Sequence, residues 1–151
     1  MARWDKKYIV TEPSSKGSLK APWIPDLEAL AYGKDCLQIL AIDSEARKGA
    51  FYFEVAWYWP GKWPKSEAAA VKEHTHPFDE ILGFFGSENR SDPYDLGGEV
   101  ELWIDGKQNI LNRSFMAYIP AGIKHCPLKI LKVDRPILHF SGGPSTEYNL
   151  K

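Results

Sequence analysis

From Cys36 to Phe140 the sequence returns again and again to short runs of branched and aromatic residues, each closed by turn chemistry, and this rhythm restricts the chain to a strand-built fold. The runs are Leu37 to Ile42, Phe51 to Trp59, Glu80 to Phe85, Glu99 to Ile104, Lys107 to Leu111, Phe115 to Ile119, Leu128 to Lys132 and Pro136 to Phe140. Between them stand Asp92-Pro93, Gly97-Gly98, Asp105-Gly106 and Pro120-Ala121-Gly122, each expected to be a turn. Asp105-Gly106 is the strongest hairpin signal, because both central positions tolerate a positive φ. Many short strands at this spacing predict an all-β sandwich or barrel.

Two stretches within that body are assigned by pattern. In Phe51 to Trp59 the odd positions form one apolar face and Glu54 falls on the other. The aromatic residues from Phe51 to Trp63 then line a ligand cavity or make plain core or subunit contact. Ala68 to Lys72 is read as the entry to a further strand.

The N-terminal 35 residues read differently. Pro13, Pro22 and Pro25 interrupt short apolar pieces, and Leu27 to Tyr32, opened by Pro25-Asp26 and closed by Gly33, suits one helical turn. Residues 1–35 are therefore expected to be an arm of the same domain, and 36–151 the barrel. Trp4, Trp23 and Leu27 give the arm apolar material for subunit contact, and a barrel edge strand often pairs with a second copy, so a homodimer is expected.

Charge and cysteine content exclude several roles. With 19 basic and 20 acidic side chains, the formal net charge of −1 offers no footprint for nucleic acid or an anionic membrane. Cys36 and Cys126 stand far apart without ligand-like spacing and are expected to be reduced. Met1 to Val10 has no apolar segment after its basic residues, and no apolar run approaches the roughly 20 residues of a spanning helix, so a cytoplasmic location is the default expectation.

Chemistry concentrates in Glu73-His74-Thr75-His76-Pro77-Phe78-Asp79-Glu80. Residues two apart in a strand point the same way, so His74 and His76 aim both imidazoles at one spot. Pro77 marks a turn, after which Glu80 starts the next strand and returns a carboxylate to that spot. His125, delivered by the Pro120-Ala121-Gly122 turn, supplies the fourth ligand. Three imidazoles and a carboxylate suit Fe(II), Mn(II), Ni(II) or Zn(II) better than Ca or Mg. An octahedral ion held by four protein ligands keeps two positions for water, oxygen or a chelating substrate. Each residue alone has a bland reading, a surface HxH or a solvated glutamate, and it is the set that carries the metal reading.

His139 alternates with apolar neighbours, and is either a proton shuttle or substrate donor inside the barrel or a hydrogen-bonded core histidine. Tyr118 is a second candidate for handling protons; Lys72 and Arg135 are weaker ones. Cys126 directly follows His125 and, in a regular strand, faces away from the metal and packs in the core.

His74-Thr75-His76, three residues, then Glu80, followed by Pro120-Ala121-Gly122-Ile123-Lys124-His125, resembles the two motifs of the cupin superfamily, HxHxxxE and PxGxxH. The resemblance covers roughly residues 37 to 141. Glycines usual around these motifs are replaced or displaced (Ala68, Gly86, Ser114), which bears on strand corners rather than on the ligands. The resemblance implies a double-stranded β-helix, a jelly-roll barrel with one divalent transition metal inside one end. It implies three possible roles: a metal-dependent enzyme on a small polar organic molecule, of dioxygenase, isomerase, decarboxylase or lyase type; a non-catalytic small-molecule binding or sensing protein; or a storage-type or structural protein with an incidental metal. The full ligand set speaks against the last, and the first is favoured. No helix-turn-helix accompanies the body, so a cupin-type transcription regulator is not expected.

Overall fold

The structure is a computed structural model and describes residues 3–12 and 26–145. It is all-β: eight strands, β1 (Cys36–Ile42), β2 (Tyr52–Tyr58), β3 (Glu80–Gly86), β4 (Asp95–Ile104), β5 (Lys107–Arg113), β6 (Phe115–Ile119), β7 (His125–Val133) and β8 (Ile137–Gly143). They form a five-stranded sheet in the order β1-β2-β8-β3-β6 and a three-stranded sheet in the order β5-β4-β7. Every strand pair is antiparallel. Among the described residues no helix is long and apolar enough to cross a membrane.

The predicted runs became strands, and in β3, β4, β6, β7 and β8 their branched and aromatic residues supply the inner face. Leu82 and Phe84 from β3, Leu96, Val100 and Leu102 from β4, Ile119 from β6, Leu128, Ile130 and Val133 from β7, and Ile137 from β8 close one core between the two sheets. The β4–β5 hairpin turns at Asp105 and Gly106, with φ of 50° and 71°, as the Asp-Gly pair requires.

Two local expectations are corrected. Gly97-Gly98 is not a turn but part of β4, where the register with β5 shifts and Gly97 takes a φ of 69°; a side chain there would run into Arg135. Ala68 to Lys72 does not enter a strand. Glu67–Ala69 makes a single 3-10 turn, and only an isolated bridge follows, Val71 to Leu128. β2 has the expected apolar odd positions with Glu54 on the other face, but turns that apolar face outward. Its even residues Tyr52, Glu54, Ala56 and Tyr58 face inward, while Phe53 is 40% exposed. The outer face of this sheet is itself aromatic: Phe53 stacks on Phe140 across β2 and β8, and Phe140 on Phe85. Hydrophobicity therefore does not separate inside from outside in β2, and Glu54 lies within the barrel.

Residues 26–35 lie against the barrel. Asp26 caps one turn through the backbone N–H groups of Glu28 and Ala29, and Leu30 N–H donates to Asp26 O, which gives the helical turn expected there. Leu27, Leu30 and Tyr32 border the larger cavity. Pro13, Pro22, Trp23 and Pro25 lie outside the described residues.

Candidate metal centre

The segment before β3 is held by two bridges to β7, Val71 to Leu128 and His74 to His125, the latter with backbone N–H···O bonds in both directions. It is not the strand expected for His74 and His76. Even so, both rings are brought to the same region, their centroids 5.8 Å apart. Pro77 ends the segment and Glu80 opens β3, buried at 3% exposure. The Pro120-Ala121-Gly122 turn is tied to the same place, because Gly122 N–H donates to His76 O, and β7 then begins at His125.

All three imidazoles are anchored the same way. Nδ1 of His74 lies 2.7 Å from Lys72 O, Nδ1 of His76 lies 2.8 Å from Phe78 O, and Nδ1 of His125 lies 2.9 Å from Ile123 O. A carbonyl accepts and never donates, so each ring carries its proton on Nδ1 and, when neutral, leaves a lone pair on Nε2. Glu80 Oε2 sits 3.1 Å from His76 Nε2 and 3.2 Å from His125 Nε2. The other carboxylate oxygen, Oε1, accepts a hydrogen bond from Ser141 Oγ at 3.0 Å.

Ring lone pairs and a carboxylate oxygen at this range repel one another unless a proton or a metal cation lies between them. His125 Nε2 is buried and has no hydrogen-bond partner. Ligand atoms of His76, Glu80 and His125 all lie within 4.8 Å of one another. His74 approaches from the side of His125, ring centroids 4.3 Å apart. Ionisation states agree with a ligand role. Burial lowers the His74 pKa and favours the neutral ring. For Glu80, burial pushes the pKa up, but the adjoining side chains of His125 and His76 outweigh it and hold the group well below the usual carboxylate range. The orphaned nitrogen of His125 and the donor set as a whole fit a divalent transition metal.

Cys126 does not face away. Its φ is 69° where the register of β7 with β4 slips, and this turns the thiol toward the small cavity beside His74 and His125 while it stays buried in the core. Burial pushes its pKa well above the ordinary thiol value.

His139 is inside the barrel, on β8. Its Nδ1 lies 2.9 Å from Gly83 O and its ring stacks on Phe84 with centroids 4.2 Å apart. Burial drives its pKa down to about 4, so at neutral pH the ring is uncharged and presents Nε2 as an acceptor. Tyr118 is elsewhere. It is 61% exposed on the outer face of β6 and its hydroxyl donates to Asp79 Oδ2 at 2.9 Å; that bond raises its pKa. Tyr118 is thus not brought to the cluster, and it braces the turn before His125 through Asp79, whose other oxygen accepts from Ala121 N–H. Lys72 is exposed, and Arg135 pairs with Asp95 away from the cluster.

Three residues were missed from sequence: Ser141, Glu54 and Gln38. Ser141 shares strand parity with His139 two residues earlier, which was the available signal. Glu54 and Gln38 needed knowledge of which faces of β2 and β1 turn inward. Gln38, buried on β1, donates from Nε2 to Glu54 Oε2.

Two cavities adjoin the cluster. The smaller, about 50 Å³, touches His74, Glu80, His125 and Cys126, and the larger, about 120 Å³, opens toward the arm past Tyr32, Tyr58 and Trp63. Glu54, Val71, Leu128 and His139 border both, so they form the junction between them.

No family model and no curated protein matches the chain in sequence. Among solved structures, oxalate oxidase in complex with glycolate superimposes with a TM-score of 0.53 at 12% identity, over 98% of this chain and 64% of that one. A polyketide cyclase from Streptomyces resistomycificus gives 0.48 at 12% identity, over 100% and 84%. An RmlC-like cupin from Shewanella frigidimarina gives 0.44 at 15%, over 89% and 95%. The chain thus spans a little under two thirds of the length of the oxalate oxidase. Its two sheets, their antiparallel order and this likeness give the chain a jelly-roll fold, the double-stranded β-helix, shared with the oxalate oxidase.

Proposed function

We propose that this chain is a cupin that holds one divalent transition metal through His74, His76, Glu80 and His125, and is a metal-dependent enzyme acting on a small polar organic molecule. The observation that carries this reading is the shared anchoring of three imidazoles by their Nδ1 atoms, with two of the Nε2 atoms turned on one buried carboxylate oxygen. Fe, Mn, Ni and Zn suit such a set. The bound ion would act as a Lewis acid and template for a chelating substrate.

The chain's own residues supply the rest. Ser141 orients Glu80. Val71 and Leu128 exclude water at the junction of the cavities, and His139, neutral at physiological pH, offers its Nε2 as an acceptor to a substrate hydroxyl. With about 120 Å³ available, the larger cavity suits a molecule of a few carbon atoms rather than a nucleotide-sized one. The reaction type stays within the dioxygenase, isomerase, decarboxylase and lyase classes. A non-catalytic binding or sensing protein is the second reading, supported by the apolar lining that Leu27, Leu30 and Val71 give the larger cavity.

Turnover of a panel of diols, oxo acids and catechols by the metal-loaded chain, with Fe(II) under oxygen as one condition, tests this. Product formation that is lost on chelation is the expected result. Saturable binding without any product favours the sensor. The reading also includes a cytoplasmic homodimer. The exposed apolar side chains on the outer face of the five-stranded sheet, Phe53, Ile81 and Met116, support a second copy there.

A further inference from the structure

His125 and Cys126 are neighbours on β7, yet both side chains are buried on the inner side, at 2% and 3% exposure. A bulge makes this possible. Between the pairs Leu102–Leu128 and Ile104–His125, β7 carries one residue more than β4, and Cys126 takes a φ of 69°. In a regular strand the thiol would face away from His125. Cys126 is in no disulfide, and it borders the smaller cavity together with His74, Glu80 and His125. Protein cores are close-packed, so packing alone accounts for neither the register slip nor about 50 Å³ of open space in front of the thiol.

Two observations give this thiol a ligand's position. The Cys126 Sγ and the ligand atoms of His74 and His125 all lie within 4.8 Å of one another. Around a zinc ion sulfur sits at about 2.3 Å and nitrogen at about 2.1 Å, so two such donors stand at most about 4.4 Å apart. The trio needs only a slight closing movement to share an ion. Independently, His125 Nε2 is buried and has no hydrogen-bond partner among the described residues. His125 also belongs to the group His76, Glu80 and His125, so it has an oxygen donor on one side and a sulfur donor on the other.

Resting on the metal-binding reading above, we propose that Cys126 is a further ligand of the metal centre, and that its sulfur makes the site select a thiophilic divalent ion such as Zn(II) over Mn(II) and Mg(II). Harder ions prefer oxygen donors, whereas sulfur favours zinc. Binding replaces the S–H bond with a metal–sulfur bond, and the proton leaves to solvent. The thiolate and the Glu80 carboxylate then match the two positive charges of the ion, while the imidazoles stay neutral.

The test is zinc K-edge X-ray absorption of the untagged full chain loaded with Zn(II), beside metal affinities from competition with a chromophoric chelator. Wild type is expected to show one sulfur neighbour at about 2.3 Å among nitrogen and oxygen neighbours. C126S, nearly the same size, is expected to show none. It should bind Zn(II) about 100-fold more weakly, the upper end of what losing a ligand's supporting hydrogen bond costs, while its Mn(II) affinity changes little. Similar thermal midpoints of the two metal-free chains would assign that loss to ligation rather than folding. A wild-type shell of nitrogen and oxygen alone, or a sulfur signal that persists in C126S, overturns the role of Cys126 and leaves the four-ligand centre standing. A wild-type chain that takes up no Zn(II) overturns both. The wild-type spectrum needs no variant, so it decides the question even if C126S fails to fold.

Discussion

Ser141 Oγ donates to Glu80 Oε1 at 3.0 Å, from the middle of β8 to the first residue of β3, and so leaves Oε2 as the oxygen that meets His76 and His125. Such support of a ligating carboxylate is worth about 10–100-fold in metal affinity. Ser141→Ala is therefore expected to weaken metal binding by that factor, read by competition with a chromophoric chelator, while the thermal midpoint of the metal-free chain moves little. Unchanged affinity would mean that Glu80 is oriented by its strand alone.

His139 is held by stacking as well as by hydrogen bonding, because Phe84, fully buried on β3, covers one face of its ring. Phe84→Ala removes that face and opens a void in the core. The expected cost is about 3–5 kcal/mol of unfolding free energy, measured by denaturant titration.

Asp95 and Arg135 tie the start of β4 to the turn before β8, and the ion pair sits beside Gly97 where a side chain would not fit. Arg135, with the N–H groups of Gly97 and Asn89 adding to it, holds the Asp95 carboxyl down to about 2. A depressed folded-state pKa contributes stability above the unfolded value near 4, and that contribution is lost as the pH falls toward 2. Wild type is thus expected to be more stable than Asp95→Asn at neutral pH, with the gap closing across that acidic window. A gap that stays constant down to pH about 2 would contradict the assignment.

The outer face of the five-stranded sheet makes a separate prediction. Ile81 is 47% exposed on β3 next to Met116 and Tyr118 of β6. If a second copy covers this face, Ile81→Lys converts a dimer to a monomer in light scattering at micromolar concentration. A wild-type chain that is monomeric under those conditions removes the dimer.

Much of this molecule was legible in its residues. Strand positions followed from branched and aromatic runs, and the β4–β5 hairpin followed from Asp105-Gly106. Glu80 was placed at the start of β3 because Pro77 must end what precedes it. What was not legible has a common cause: parity fails where both faces of a sheet are apolar or where the backbone leaves regular geometry. Phe53, Phe85 and Phe140 cover the outside of the barrel, so the apolar face of β2 did not by itself tell that Glu54 points inward. Cys126 turned toward the cluster because one residue with a positive φ reverses the alternation that a regular strand would impose. Tyr118 was more avoidable, since Ile119 beside it is fully buried and neighbours on a strand face opposite ways.

The central claim is that His74, His76, Glu80 and His125 share a metal. Elemental analysis of the untagged chain, purified without chelators and compared with His76→Ala, tests it most directly. About one transition-metal ion per chain in the wild type, largely lost in the variant, is the predicted result. A wild type that carries no more metal than the variant would contradict it.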